Sequence, residues 1–197
     1  MTKLANYIES LDDFKIVEQT DGYDHMGAVV VDGILQASLN YKTVVEPRVM
    51  SVLAKYPEAK TTSEFIDICK RDGIKSIINW KDDRKPGYIL ALLHFLENNL
   101  IETVIQLKEF LQTQENKDRF IQENKGIGMV TAEYFRILIG DESVKIDRHL
   151  RAFLSLAGFE GCTDKEAIKL ITEAAGNLGI NPSVLDYSIW SYQSKKN

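Results

Sequence analysis

Residues 124–135, Asn-Lys-Gly-Ile-Gly-Met-Val-Thr-Ala-Glu-Tyr-Phe, set two glycines one residue apart in front of a run with helical spacing. Glycine admits positive φ and lets another backbone come close, and the first turn of a helix presents N–H groups with no partner inside it. Added to the positive end of the helix dipole, these groups hold a phosphate without side-chain charge and without regard to base sequence. Gly126 and Gly128 therefore make a candidate phosphate site. Asp147 follows at the start of the next apolar stretch. A fixed carboxylate there can stabilise positive charge developing on a sugar, or take a proton from an attacking water. Each feature also has a plain structural use. A G-x-G is a tight interhelical turn, and an Asp before Arg148 to Leu156 is an N-cap. The spacing of the two together is what points to chemistry.

The elements that would carry these residues read as helices throughout, with apolar positions at helical spacing and no period-2 strand. Lys117 to Asn124 predicts a short helix, Lys125 to Gly128 a tight hairpin, and Met129 to Ile139 a second helix closed at Gly140. Upstream, Met26 to Leu39 is apolar on most faces and reads as a buried central helix. Val44 to Lys55 is next, with Pro47 in its first turn and Tyr56-Pro57 as its stop. Thr61 to Glu64 is a capping box for a helix that Gly73 can close, and Thr163 to Glu166 repeats it before a helix reaching Leu178-Gly179. Pro86 marks a helix start ahead of Gly87 to Leu96, and Glu102 to Leu111 forms another helix. Asn181-Pro182 is a cap and first-position pair for a last helix bearing Leu185, Ile189 and Trp190. The fold expected is all-α, with about ten short helices by the spacing rules. No linker, low-complexity stretch or fixed repeat divides it.

The chain has 197 residues, 44% of them hydrophobic, enough for one substantial core or two small lobes. Cys69 and Cys162 are too far apart for a CxxC pair, two cysteines cannot ligate an iron–sulfur cluster, and His25, His94 and His149 are scattered. No built-in metal site is expected. Met1 to Thr20 is charged throughout and no apolar run approaches the about 20 residues of a membrane span. A soluble, cytoplasmic or nucleoid (nuclear) protein, neither secreted nor membrane-bound, is expected. The net charge of −5 weighs against a nucleic-acid partner, yet residues 115–151 hold as many Lys and Arg as Asp and Glu. A local positive face is compatible with that balance.

The string N-K-G-I-G-M-V-T-A-E-Y-F-R-I-L-I-G-D-E-S-V-K-I-D-R-H-L resembles the helix-hairpin-helix DNA glycosylases related to endonuclease III, whose signature runs L-P-G-[VI]-G-x-[KSW]-T-A, a helix, then V-D-x-H. Ile34-Leu35-Gln36-Ala37-Ser38 is similar to the end of that family's early helix, and the Tyr56-Pro57 and Thr61-Thr62 region is more loosely similar. The resemblance spans most of the chain and is specific over residues 124–150. It implies a two-lobed helical protein with an interlobe cleft, residues 25–139 forming a central lobe with the hairpin at 117–140, and residues 1–24 with 141–197 forming the second. Lys125, Gly126, Ile127, Gly128 and Thr131 would grip the backbone of damaged double-stranded DNA, and Asp147 would be the catalytic acid on a flipped-out nucleotide. Ser38 and Asn40 fall where the family inserts a side chain into the emptied stack. Tyr41, Trp80, Tyr134 and Trp190 are candidates for stacking on the base.

Two departures define the expected activity. Val130 stands where bifunctional members carry a nucleophilic lysine, so the chain resembles a monofunctional enzyme that leaves an abasic site. The four-cysteine iron–sulfur loop is absent, as in cluster-free branches that remove alkylated bases, and the remaining cofactor expectation is a monovalent cation at the hairpin. Lys125 replaces the usual proline. A monomer is expected. The alternatives are a non-catalytic nucleic-acid binder that keeps the hairpin, and a helical interaction protein that shares only the fold.

Overall fold

The computed structural model describes residues 1–17, 22–141 and 144–194. These fold into twelve α-helices and one π-helical segment, with no strand among the described residues. The chain divides into two compact units, Met1–Thr20 with Asp141–Asn197, and Asp21–Gly140.

The Asp21–Gly140 unit is built around α2 (Met26–Leu35), whose ten residues are all buried. Its near-uniform apolarity leaves no solvent face, so other helices must surround it. These are α3 (Glu46–Lys55), α4 (Thr62–Asp72), α6 (Arg84–Asn98) and α9 (Met129–Leu138). The predicted extension of α2 to Leu39 does not form. Lys85 reaches across from α6 and donates from Nζ to the carbonyls of Ile34 and Ala37 at 2.6 and 3.3 Å, closing the helix end with a cation. The chain then turns through Ser38 in the left-handed region, φ +65°, and Asn40 caps the π-helical segment Tyr41–Val45 that precedes α3.

The capping box at Thr61 and Glu64 forms as the spacing predicts, and Gly73 ends α4 at φ +76°. A one-turn α5 (Ile74–Ile77) follows. A second box, Thr103 with Gln106, opens α7 (Val104–Phe110). The helix α6 begins at Arg84, two residues ahead of the predicted start at Pro86. Phe95, Phe110, Phe120 and Phe135 pack edge to face with centroids 5.3 to 5.9 Å apart, locking α6 and α7 to α8 (Gln114–Glu123) and α9.

The other unit contains α1 (Lys3–Glu9), α10 (Arg148–Leu156), α11 (Asp164–Leu178) and α12 (Pro182–Ser194). The capping box at Thr163 and Glu166 opens α11, and Gly179 closes it in the left-handed conformation. Its core gathers Leu4, Ile8, Phe153, Leu154, Ile171, Leu185 and Ile189. Tyr7 and Phe14 lie against the Phe153 ring at 5.5 and 5.7 Å.

Candidate functional site

The turn from Asn124 to Gly128 joins α8 to α9. Ile127 is buried and donates its N–H to the Asn124 carbonyl at 3.1 Å, while Lys125, Gly126 and Gly128 are exposed. The two glycines have different reasons to be there. Gly126 sits at φ +92°, and a β-carbon on it would come within 2.5 Å of the Tyr88 ring. The fold itself requires glycine at that position. Gly128 has φ −105° and ψ −177°, ordinary extended backbone, and a β-carbon there would meet nothing within 4 Å. No contact with the described residues accounts for the second glycine.

Gly128 is the N-cap of α9 and supplies no side-chain cap, so the N–H groups of Met129, Val130 and Thr131 make no hydrogen bond to described residues. Met129 and Val130 are exposed and Thr131 is buried. Lys125 has no ion-pair partner among the described residues. The position of Val130 carries no amine. Beside the turn, Asn124 is buried, donates from Nδ2 to the Phe120 carbonyl at 2.9 Å, and leaves Oδ1 without a partner among the described residues. This oxygen would suit a hard cation.

Tyr41 and Tyr134 converge on a residue that sequence reasoning passed over. Asp32, fully buried in α2, accepts from Tyr23 Oη at 2.9 Å and Tyr41 Oη at 3.1 Å on Oδ2, and from Tyr134 Oη at 2.9 Å on Oδ1. Burial, and the carboxylate beside them, push all three phenols well above their ordinary range, so they remain donors. The signal in the sequence was a single acid inside the apolar run Met-Gly-Ala-Val-Val-Val-Asp-Gly-Ile-Leu. Trp80 lies apart from this cluster, donating to Asp82 Oδ2 at 2.9 Å beneath the Arg48 guanidinium, 5.1 Å from the ring centroid. Trp190, on α12, stacks on Tyr187 at 5.6 Å. Ser38 and Asn40 are exposed. Asn40 is occupied as the cap of the π-helical segment, and Ser38 has a side chain with no hydrogen bond to the described residues, in a conformation that non-glycine residues seldom adopt.

In its own unit Asp147 is half-buried at the N-cap of α10. Oδ1 accepts the N–H groups of His149 and Leu150 at 2.8 and 3.0 Å, and Oδ2 receives no hydrogen bond from the described residues. One oxygen thus anchors the side chain and the other remains available. Asp186 on α12 is a second carboxyl nearby, which the sequence reading did not single out. It is buried and accepts the Lys145 N–H at 2.9 Å. Burial, and then the charge of Asp147, raise it to about 7, against the opposing Lys145 hydrogen bond. No cluster of His, Cys, Asp and Glu fit for a metal ion occurs, and no helix is long and apolar enough to cross a membrane, among the described residues.

The chain is thus an all-helical protein with an open helix N-terminus in one unit and a half-buried carboxylate that caps a helix in the other. It belongs to the family described as "Domain of unknown function (DUF8548)", whose model matches residues 2–194. Neither a curated protein nor a solved structure matches it.

Proposed function

We propose that the chain is a monofunctional DNA glycosylase of helix-hairpin-helix type that hydrolyses the N-glycosidic bond of a damaged base. The observation that carries this reading is Gly128, a glycine that neither φ nor packing demands, at the N-cap of α9, whose first N–H groups make no hydrogen bond to the described residues and so can take a phosphate. In this reading Lys125, Gly126, Ile127, Gly128 and Thr131 hold the backbone of double-stranded DNA. A monovalent cation among the carbonyl oxygens of the turn, with Asn124 Oδ1 as a further donor, would strengthen that hold. The nucleotide flips out of the duplex, Ser38 fills the gap, and tyrosines contact the extruded base.

The chemistry asks little of the protein. Water oxygen bonds to the sugar C1′ as the C–N bond breaks, the electron pair leaves with the base, and the water proton passes to the carboxylate or to solvent. Asp147 stabilises the positive sugar and orients the water through its open Oδ2. A base carrying an alkyl group and a positive charge departs neutral and needs no protonation, which suits a chain offering one such acid and electron-rich tyrosines. Without a lysine at 130 no Schiff base forms and the product is an abasic site.

The test is incubation of the full chain with duplexes bearing methylated, deaminated or oxidised bases, scored for abasic sites, with Asp147→Asn as control. Release from at least one methylated base by wild type only is expected. A borohydride-trapped adduct would contradict the monofunctional assignment. A second reading, a non-catalytic binder, draws on the use of Asp147 as a plain N-cap. It requires salt-sensitive DNA binding that survives Asp147→Asn with no base release from any duplex.

A further inference from the structure

Asp186 stands on α12, 41 residues beyond Lys145, yet a continuous path of hydrogen bonds runs from it to Asp147. Its Oδ2 takes the Lys145 N–H at 2.9 Å. The Lys145 carbonyl takes the Asp147 N–H at 2.8 Å, and Asp147 Oδ1 takes the first free N–H groups of α10. The segment between Val144 and Asp147 has no helical bonds of its own, so something outside it must set its direction. We propose that Asp186 is the positioning residue for Asp147. It pins Lys145 from α12 and thereby directs Asp147 so that Oδ1 caps α10 and Oδ2 is left for the sugar. The functional meaning rests on reading Asp147 as the acid of a glycosylase. The structural coupling does not.

An ordinary anchor for a backbone N–H would be an amide or hydroxyl, which carries no ionisation cost when buried. Asp186 instead sits 6% exposed, with Asp147 and Lys145 as the charged groups acting on it. The helices packed on α12 face the shared core with Leu150, Phe153 and Leu154 from α10, and with Ala167, Ile171, Ala174 and Ala175 from α11. The carboxyl exchanges its proton close to neutrality, so the field at Asp147 changes with pH while the pinning bond to Lys145 persists in both states.

The experiment uses the full chain labelled at Asp carboxyl carbons, titrated by NMR in wild type, Asp147→Asn and Asp186→Asn. Amide exchange at His149 and Leu150 is measured in the same proteins and in Asp186→Ala. Expected are a wild-type Asp186 midpoint near 7, as burial and Asp147 dictate, and a lower midpoint in Asp147→Asn. Exchange protection should be kept in Asp186→Asn and fall roughly tenfold in Asp186→Ala, as loss of one buried hydrogen bond implies. In single-turnover base release, the pH profile of wild type should step near the same midpoint and that of Asp186→Asn should not. An Asp186 midpoint in the ordinary carboxylate range and indifferent to Asp147→Asn overturns the proposal, as does unchanged protection in a folded Asp186→Ala or an unchanged pH profile in Asp186→Asn. Should Asp186→Ala not fold, the titration and the Asn variant decide. If wild type releases no base from any duplex, the glycosylase reading falls alone, because the titration and exchange arms still report on the pinning.

Discussion

Substituting alanine for each of the two glycines separates a folding requirement from a binding one. At Gly126 a side chain must adopt φ +92° and displace the Tyr88 ring, whose Cδ2 and Cε2 would lie 2.5 and 2.7 Å from the new methyl. The left-handed backbone alone costs about 1–2 kcal/mol, and moving the ring brings the total to roughly 2–3 kcal/mol. At Gly128 the backbone is already extended and the space is open. Replacing a glycine N-cap by alanine costs up to about 1 kcal/mol, while the stiffer unfolded chain returns about 0.4–1 kcal/mol, so the net change is within about 0.5 kcal/mol. The same methyl would keep a phosphate from the N–H groups of α9. Losing one hydrogen bond to a charged group, about 1.5–3 kcal/mol, corresponds to roughly 10- to 100-fold weaker binding. Denaturant unfolding and anisotropy with a labelled abasic duplex at fixed salt measure both quantities. The expected pattern is an unfolding midpoint unchanged in Gly128→Ala with binding weakened, and a lowered midpoint in Gly126→Ala. A Gly128→Ala protein that binds like wild type, or loses as much stability as Gly126→Ala, refutes the reasoning.

Further outcomes can be checked independently. Asp147→Asn keeps the N-cap and should melt with wild type while base release falls about 10²- to 10³-fold, whereas Asp147→Ala should also lose about 1 kcal/mol of stability. Asp186 binds a proton more tightly folded, to about 7, than at its ordinary 3.8. The stability it lends is present at low pH and lost as pH rises through 7. Asp186→Asn should therefore gain on wild type by on the order of a few kcal/mol between about pH 4 and pH 8 in denaturant titrations. Tyr134→Phe leaves Asp32 Oδ1 short of a donor and should cost about 1–3 kcal/mol by thermal or chemical unfolding. Burial pushes the Cys69 thiol up to about 12, so native-state thiol titration should modify half-buried Cys162 well before Cys69.

Helix ends written in local chemistry were legible from sequence. The boxes at Thr61 and Thr163 and the stops at Gly73 and Gly179 all depend on residues within one turn of each other. Ends set from a distance were not. The termination of α2 at Leu35 depends on Lys85, some fifty residues on, and nothing in an apolar run states where it should stop. The turn at residues 124–128 could be read because its glycines lie one residue apart just before a helical run, but the different duties of Gly126 and Gly128 emerge only from what surrounds each. Asp32 with its tyrosines, and Asp186 with Lys145, have no fixed spacing to betray them. Their trace is an acid among apolar neighbours, in Val-Val-Asp-Gly-Ile and Val-Leu-Asp-Tyr-Ser-Ile, where solvation is absent and a partner must be supplied by the fold.

The carboxylate of Asp32 ties together three pieces of chain that are remote in sequence: the approach to α2 through Tyr23, the stretch just after Ser38 through Tyr41, and the helix behind the glycine turn through Tyr134. Pulling any one phenol away strips a donor from a fully buried carboxyl, so small independent excursions of these pieces are penalised together. The helix behind the glycine turn and the corner at Ser38 are therefore held as one stiff body, and a force applied to the first is felt at the second.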